Sequence, residues 1–99
     1  MKIKIDHLAL NEFYDAINWY ELQSKGLGLR FKITVREQLK LIKQNPNWFL
    51  IEEENIYKAY LPKFPYKILY TVDDDNEIII IWAFSHLHRK PWYWEKRTK

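Results

Sequence analysis

The sequence predicts an α+β domain: an N-terminal strand, a helical hairpin, then a three-stranded antiparallel meander (β-α-α-β-β-β), with room for a short C-terminal helix. Three observations predict it. Two apolar stripes at helical spacing flank the only glycines, Gly26 and Gly28. Three runs rich in β-branched and aromatic residues follow, divided by Pro62-Lys63-Phe64-Pro65 and by Asp73-Asp74-Asp75-Asn76. Finally, a chain of 99 residues allows one domain, taken as 1–99, and no Gly/Ser/Pro-rich linker or internal repeat divides it.

Ile3 and Ile5 alternate with Lys2, Lys4 and Asp6, the pattern of a half-buried strand. Phe13, Ala16, Ile17 and Tyr20 then repeat at i, i+3, i+4, i+7, and Asn11 is read as the cap of this first helix. Lys25-Gly26-Leu27-Gly28 breaks the pattern and is short enough to fold two helices into a hairpin. The second stripe is Phe31, Val35, Leu39 and Ile42, stopped at Asn45-Pro46-Asn47 because proline cannot continue a helix. Ile56 to Leu61, Tyr66 to Val72 and Glu77 to Phe84 read as strands; the last is nearly continuous in apolar residues and so belongs inside the sheet. Pro91 suits the first position of a closing helical turn. The expected core is Phe13, Ile17, Tyr20, Phe31, Val35, Leu39, Ile42, Ile68, Tyr70, Ile79 and Ile81.

Composition excludes several classes of function. The 47% apolar and 29% charged residues belong to a globular chain and not to a disordered tail. No apolar run approaches the ~20 residues of a membrane span, so no membrane partner is expected. The start, Met1 to Asp6, lacks the apolar segment of a secretory signal, and a cytoplasmic location is expected. The absence of cysteine excludes disulfide scaffolds, thiolate zinc sites and thiol nucleophiles. His86 and His88 lack a near third ligand, His7 being distant in sequence, so no metal is expected; no phosphate-binding glycine loop or nucleophile motif points to a cofactor. The acids Glu52-Glu53-Glu54 read as a solvated run beside a turn.

The net charge of +3 is modest, but its distribution is uneven. Arg89, Lys90, Lys96, Arg97 and Lys99 face a single acid, Glu95, after His86, and Trp92, Tyr93 and Trp94 are interleaved with them. Such a segment can hold phosphates and stack on bases, or it can close the core. Lys58 and Lys67 would share one side of the sheet if their strands form a hairpin, and Arg89 at the end of the next strand could join them. A cationic cluster of this kind would stabilise the extra charge of a phosphodiester transition state, with a nearby histidine, His86 or His88, as general acid or base. With helices on one face only, the other face is expected to be bare and available to a partner.

Ala16-Ile17-Asn18-Trp19-Tyr20-Glu21, Gln23 to Gly28, Phe31 and Asn45-Pro46 resemble the helical half of the RelE/ParE toxin superfamily. Its second half is matched by Lys58-Ala59, by Phe64-Pro65-Tyr66-Lys67-Ile68-Leu69-Tyr70, and by His86, Arg89-Lys90-Pro91, Trp94 and Arg97. The resemblance implies the toxin of a type II toxin–antitoxin module. It implies a cognate antitoxin as partner and contact with operator DNA only through that antitoxin. It divides on the target. RelE-like members are metal-independent endoribonucleases acting on ribosome-bound mRNA; by that likeness Lys58, Lys67, Arg89 and His86 would be catalytic and Tyr93 a base-stacking group. ParE-like members inhibit DNA gyrase without chemistry of their own. Tyr60 stands where a second lysine would be expected of the nuclease, and the His86, Arg89, Pro91, Trp94, Arg97 signature leans towards the ParE-like branch. On that branch Tyr60, Trp92, Tyr93, Trp94 and Arg97 are the expected target- or antitoxin-binding residues. A degenerate toxin kept for its antitoxin pairing is the blander alternative.

Overall fold

The computed structural model describes residues 1–90 and 92–98. The helix-opening role read for Pro91 and the basic Lys99 therefore lie outside the described residues. Strand β1 (Lys2–Ile5) leads into helix α1 (His7–Gln23) and helix α2 (Leu27–Gln44). Strands β2 (Leu50–Glu53), β3 (Ile56–Tyr60), β4 (Tyr66–Asp73) and β5 (Ile78–His86) follow, and a 3-10 turn over Glu95–Thr98 ends the described chain. The expected α+β layering is present, with one strand more than the sequence reading allowed.

The sheet order is β1-β5-β4-β3-β2. Only β1 and β5 run parallel: the helical hairpin carries the chain from β1 to the far edge of the sheet, and the antiparallel meander from β2 to β5 brings it back beside β1. The apolar run of β5 is explained by its place between β1 and β4. The additional strand, β2, forms the far edge. Its Leu50 and Ile51 are exposed and its register with β3 shifts between Ile51 and Glu53, so its apolar residues show neither alternation nor burial. Glu52, read as part of a solvated run, is instead a strand residue only 16% exposed.

Helix α1 starts earlier than expected. Asp6, not Asn11, is the cap, its carboxylate accepting from the Leu8 amide at 3.1 Å. The hairpin works as the glycine pair suggests. Gly26 takes the left-handed conformation (φ 86°), and a Cβ on Gly28 would stand 2.6 Å from the Ile17 carbonyl oxygen, so only glycine lets the helices approach. The Glu21 carboxylate accepts from the amides of both Gly26 and Gly28 and so satisfies the open N-terminus of α2.

The main core lies between the helices and the sheet. Phe31, Val35, Ile42, Ile68, Tyr70, Ile79 and Ile81 are fully buried, with Phe13, Ile17 and Leu39 packed at its margin. The inner stripe of α2 thus passes through Gln38 more than Leu39; Gln38 is buried and donates to the Tyr60 carbonyl at 3.1 Å. Phe64 and Tyr66 pack edge-on against Tyr20 and Phe31, which fixes the β3–β4 hairpin to the helices.

The opposite face departs from expectation. A second, small core forms there from Ile56, Leu69, Ala83 and Trp94, with Tyr93 at its edge. The chain's own C-terminal segment therefore covers part of the face that was expected to be bare. The Trp94 indole, 2% exposed, takes a large apolar surface out of water, which offsets the entropy lost in ordering the segment.

Candidate functional site

The part of this face left open lies beside the β3–β4 hairpin. On β3, Lys58 and Tyr60 point to the same side as Ile56; on β4, Lys67 shares the side of Leu69, and Lys67 is registered opposite Tyr60 and Ser85. The structure thus brings Lys58 and Lys67 together, and it adds an acid that sequence reasoning left outside the site. Glu52 Oε1 lies 2.5 Å from Lys67 Nζ and 4.0 Å from Lys58 Nζ. Lys58 also lies over the Tyr60 ring, 5.8 Å from its centroid. A cavity of about 250 Å³ opens here, lined by Glu52, Lys67, Ser85, His86, Leu87, Arg89, Lys90, Trp92 and Trp94.

Arg89 and Arg97 are held by a different carboxylate. Glu12, on the inner side of α1, accepts from Arg97 Nη1 at 2.8 Å and Nη2 at 3.3 Å, from Arg89 Nη1 at 3.2 Å, from the Tyr93 hydroxyl at 2.7 Å and from the Phe84 amide at 3.2 Å. Arg97 also donates to the Trp82 carbonyl at 3.1 Å. The Arg89 guanidinium stacks on the Tyr93 ring at 3.7 Å. Burial, and then the hydrogen bond to Glu12, pushes the Tyr93 hydroxyl up to about 12, so the phenol stays protonated and donates. Glu12 was not singled out from the sequence. The available signal was its position, three residues after Ala9 and four before Ala16, which puts a charge on an otherwise apolar helix face.

The expected binding residues separate into two groups. Trp94 is buried and Arg97 is only 12% exposed, so Trp94 sits where it closes the small core of this face. Tyr60 and Trp92 are exposed, Trp92 to 59%. His86 ends β5 with its Nδ1 accepting from the His88 amide at 3.1 Å and its ring edge-on to Tyr66. Burial, and then the neighbouring His88, lowers its pKa from the ordinary value of 6.5. His86 is therefore a neutral imidazole at neutral pH and adds no charge to the cations around it. It also borders a second groove, of about 380 Å³, between α1 and the sheet, with Trp19, Tyr20, Tyr66 and Arg89.

Residues 3–91 match the family described as the ParE toxin of type II toxin–antitoxin systems, parDE. The chain belongs to that family. Solved structures agree on the fold. The ParE-family chain is similar to one from the chromosomal ParDE toxin–antitoxin system of P. aeruginosa, with a TM-score of 0.72 at 20% identity over 89% of this chain and 97% of that one. It is also similar to the isolated E. coli RelE toxin, with a TM-score of 0.62 at 19% identity over 98% and 95% of the two chains. A mutant E. coli RelE in complex with a peptide of the antitoxin RelBc gives 0.61 at 18% identity over 96% and 92%. No curated protein matches the sequence. Among the described residues of this ParE-family toxin, no helix is long and apolar enough to cross a membrane and no cluster of side chains could hold a metal ion.

Proposed function

We propose that this type II toxin inhibits growth by binding DNA gyrase through surface contacts, without chemistry of its own, and that a cognate antitoxin holds it inactive in the cytoplasm. The observation that carries this reading is the internal pairing of the candidate catalytic cations. Lys58 and Lys67 face Glu52, and Arg89 faces Glu12. A nuclease of this type needs cations free to hold charge that grows on the phosphate in the transition state. Here each is already partly neutralised by a carboxylate. The exposed Tyr60, Trp92 and Leu87 suit contact with a protein surface. The antitoxin would carry the contacts to operator DNA.

One observation favours the alternative, a metal-independent mRNA endoribonuclease: Lys67, Arg89 and His86 border the same cavity. Induced expression without antitoxin separates the two, with DNA supercoiling and transcript integrity followed together. Loss of supercoiling or gyrase-linked DNA breaks, with transcripts intact, is the expected result. Rapid ribosome-dependent transcript cutting would replace it with the nuclease reading, and growth with neither effect would remove both.

A further inference from the structure

The groove of about 380 Å³ between α1 and the sheet holds polar groups that the fold does not use. Tyr20 is only 8% exposed, yet its hydroxyl has no hydrogen-bond partner among the described residues. No fully enclosed side-chain polar atom among those residues lacks a partner, so this hydroxyl opens on the groove that Tyr20 lines. The Tyr66 hydroxyl is unpartnered in the same way and lines the same groove. Burial raises the pKa of both phenols, and Tyr20 and Glu12 add to the rise at Tyr66, so both stay protonated and donate. Helix α1 also brings Asp15 here, whose carboxylate makes no ion pair or hydrogen bond among the described residues. Four residues on, and so on the same helix face, stands Trp19, 57% exposed.

The charges around the groove cancel. Glu12 is held by Arg89 and Arg97, a set with one net positive charge, and Asp15 balances it. His86 is neutral, and because its Nδ1 accepts from the His88 amide its proton sits on Nε2. Arg89 is bound to Glu12 and stacked on Tyr93, so it is assigned no ligand. A matching ligand is neutral overall but charge-separated: a cationic donor for the free carboxylate, an anionic acceptor for the phenols, and an apolar body for Ala16, Phe84 and the Trp19 indole. We propose that the groove binds a free α-amino acid with an apolar side chain, its ammonium group on Asp15 and its carboxylate on the hydroxyls of Tyr20 and Tyr66. Both charged ends sit on one carbon only in a free amino acid; a peptide terminus offers just one of them. The inference goes beyond the gyrase reading and does not depend on it, since it gives the toxin a small ligand and leaves the target of growth inhibition as it stands.

The test follows binding of L-leucine to the full chain by NMR titration of the amide and indole N–H signals, with the Trp19 indole assigned from Trp19→Phe. A dissociation constant of about 1 mM is expected of so small a ligand. Asp15→Asn is expected to weaken binding by about tenfold, the scale of one charge-assisted hydrogen bond, and the double variant Tyr20→Phe with Tyr66→Phe by a similar factor. Asp74→Asn makes the same change in net charge in the turn after β4 and is expected to leave binding near the parent level. Blocking either end of the ligand should match the loss of the residue that holds it. N-acetyl-L-leucine, which lacks the ammonium group, should bind weakly and be indifferent to Asp15→Asn. L-leucinamide, which lacks the carboxylate, should bind weakly and be indifferent to the tyrosine changes. No saturable shift of the Trp19 indole up to about 20 mM L-leucine overturns the proposal. So does a blocked derivative that binds as well as L-leucine, adenosine binding more tightly than L-leucine, parent-level affinity in Asp15→Asn or the tyrosine variant, or an equal loss in Asp74→Asn. Thermal melts accompany each variant, and Tyr66→Phe alone makes the comparison if the double variant fails to fold.

Discussion

Replacing Glu12 with alanine should be among the most damaging single changes in this chain, and the reason lies in what the carboxylate leaves behind. Glu12 and Arg97 are each only 12% exposed. Without the carboxylate, Arg97 keeps the Trp82 carbonyl as its acceptor among the described residues, and the Tyr93 hydroxyl loses its 2.7 Å partner. Breaking a buried ion pair from one side costs about 3–5 kcal/mol, because the surviving charge stays out of water. Arg89 adds little to that figure, since half of its side chain is already hydrated. In a domain of this size such a loss lowers Tm by at least about 12 °C. Urea titration followed by tryptophan fluorescence measures it directly, and acrylamide quenching reports whether Trp94 has come free with the C-terminal segment. A double-mutant cycle with Arg97→Ala isolates the pair, with a coupling of about 1.5 kcal/mol or more expected. A Glu12→Ala cost below about 1 kcal/mol, with Trp94 still protected, would refute the view that this carboxylate fastens the segment to α1.

Gly28→Ala should destabilise by about 1–3 kcal/mol, since its Cβ meets the Ile17 carbonyl of the facing helix. Gly26→Ala, which meets open space and only backbone strain, should cost about 1 kcal/mol; chemical denaturation ranks the two, and the reverse order would show that the helix contact is not tight. Phe31→Ala should cost about 3–5 kcal/mol and Leu39→Ala about 2 kcal/mol or less, because Phe31 is fully enclosed and Leu39 lies at the core margin. Equal costs in urea titration would contradict the placement of the α2 stripe. His86 binds its proton less readily folded than unfolded, so the unfolded chain takes up more protons as pH falls below 6.5 and stability falls with it. Above that pH the contribution is constant. His86→Gln should flatten the decline, as judged by Tm against pH, and an unchanged decline would place its origin elsewhere.

How much of this was legible in the sequence depended on whether the signal was local. The helix stripes, the glycine hinge and the Asp73–Asn76 turn are set by neighbours a few residues apart; in the turn the Asp73 carboxylate takes the Asn76 amide and side chain. The start of α1 was missed because Asp6 also fits the alternation of β1, and the pattern has no means of dividing one residue between two elements. Strand β2 was missed because an exposed edge strand lacks the alternation that burial imposes. The apolar run Trp48 to Ile51 before the acids was its one signal. Lys58 and Lys67 were placed on one side correctly, since alternation and a hairpin suffice for that. Trp94 was left between two roles because its burial depends on Ile56, Leu69 and Ala83, on three different strands.

The two carboxylates that organise the site share this long-range character, and they change what the charge count means. A net charge of +3 treats every lysine and arginine as free. In the folded chain Glu52 and Glu12 take up four of the cations most suited to holding phosphate, Lys58, Lys67, Arg89 and Arg97. What the sheet face then offers a macromolecular partner is weighted towards Tyr60, Trp92, Leu87 and the hydrated half of Arg89, a mixture closer to a protein-binding surface than to a nucleic-acid groove. The charge itself is not lost, only balanced.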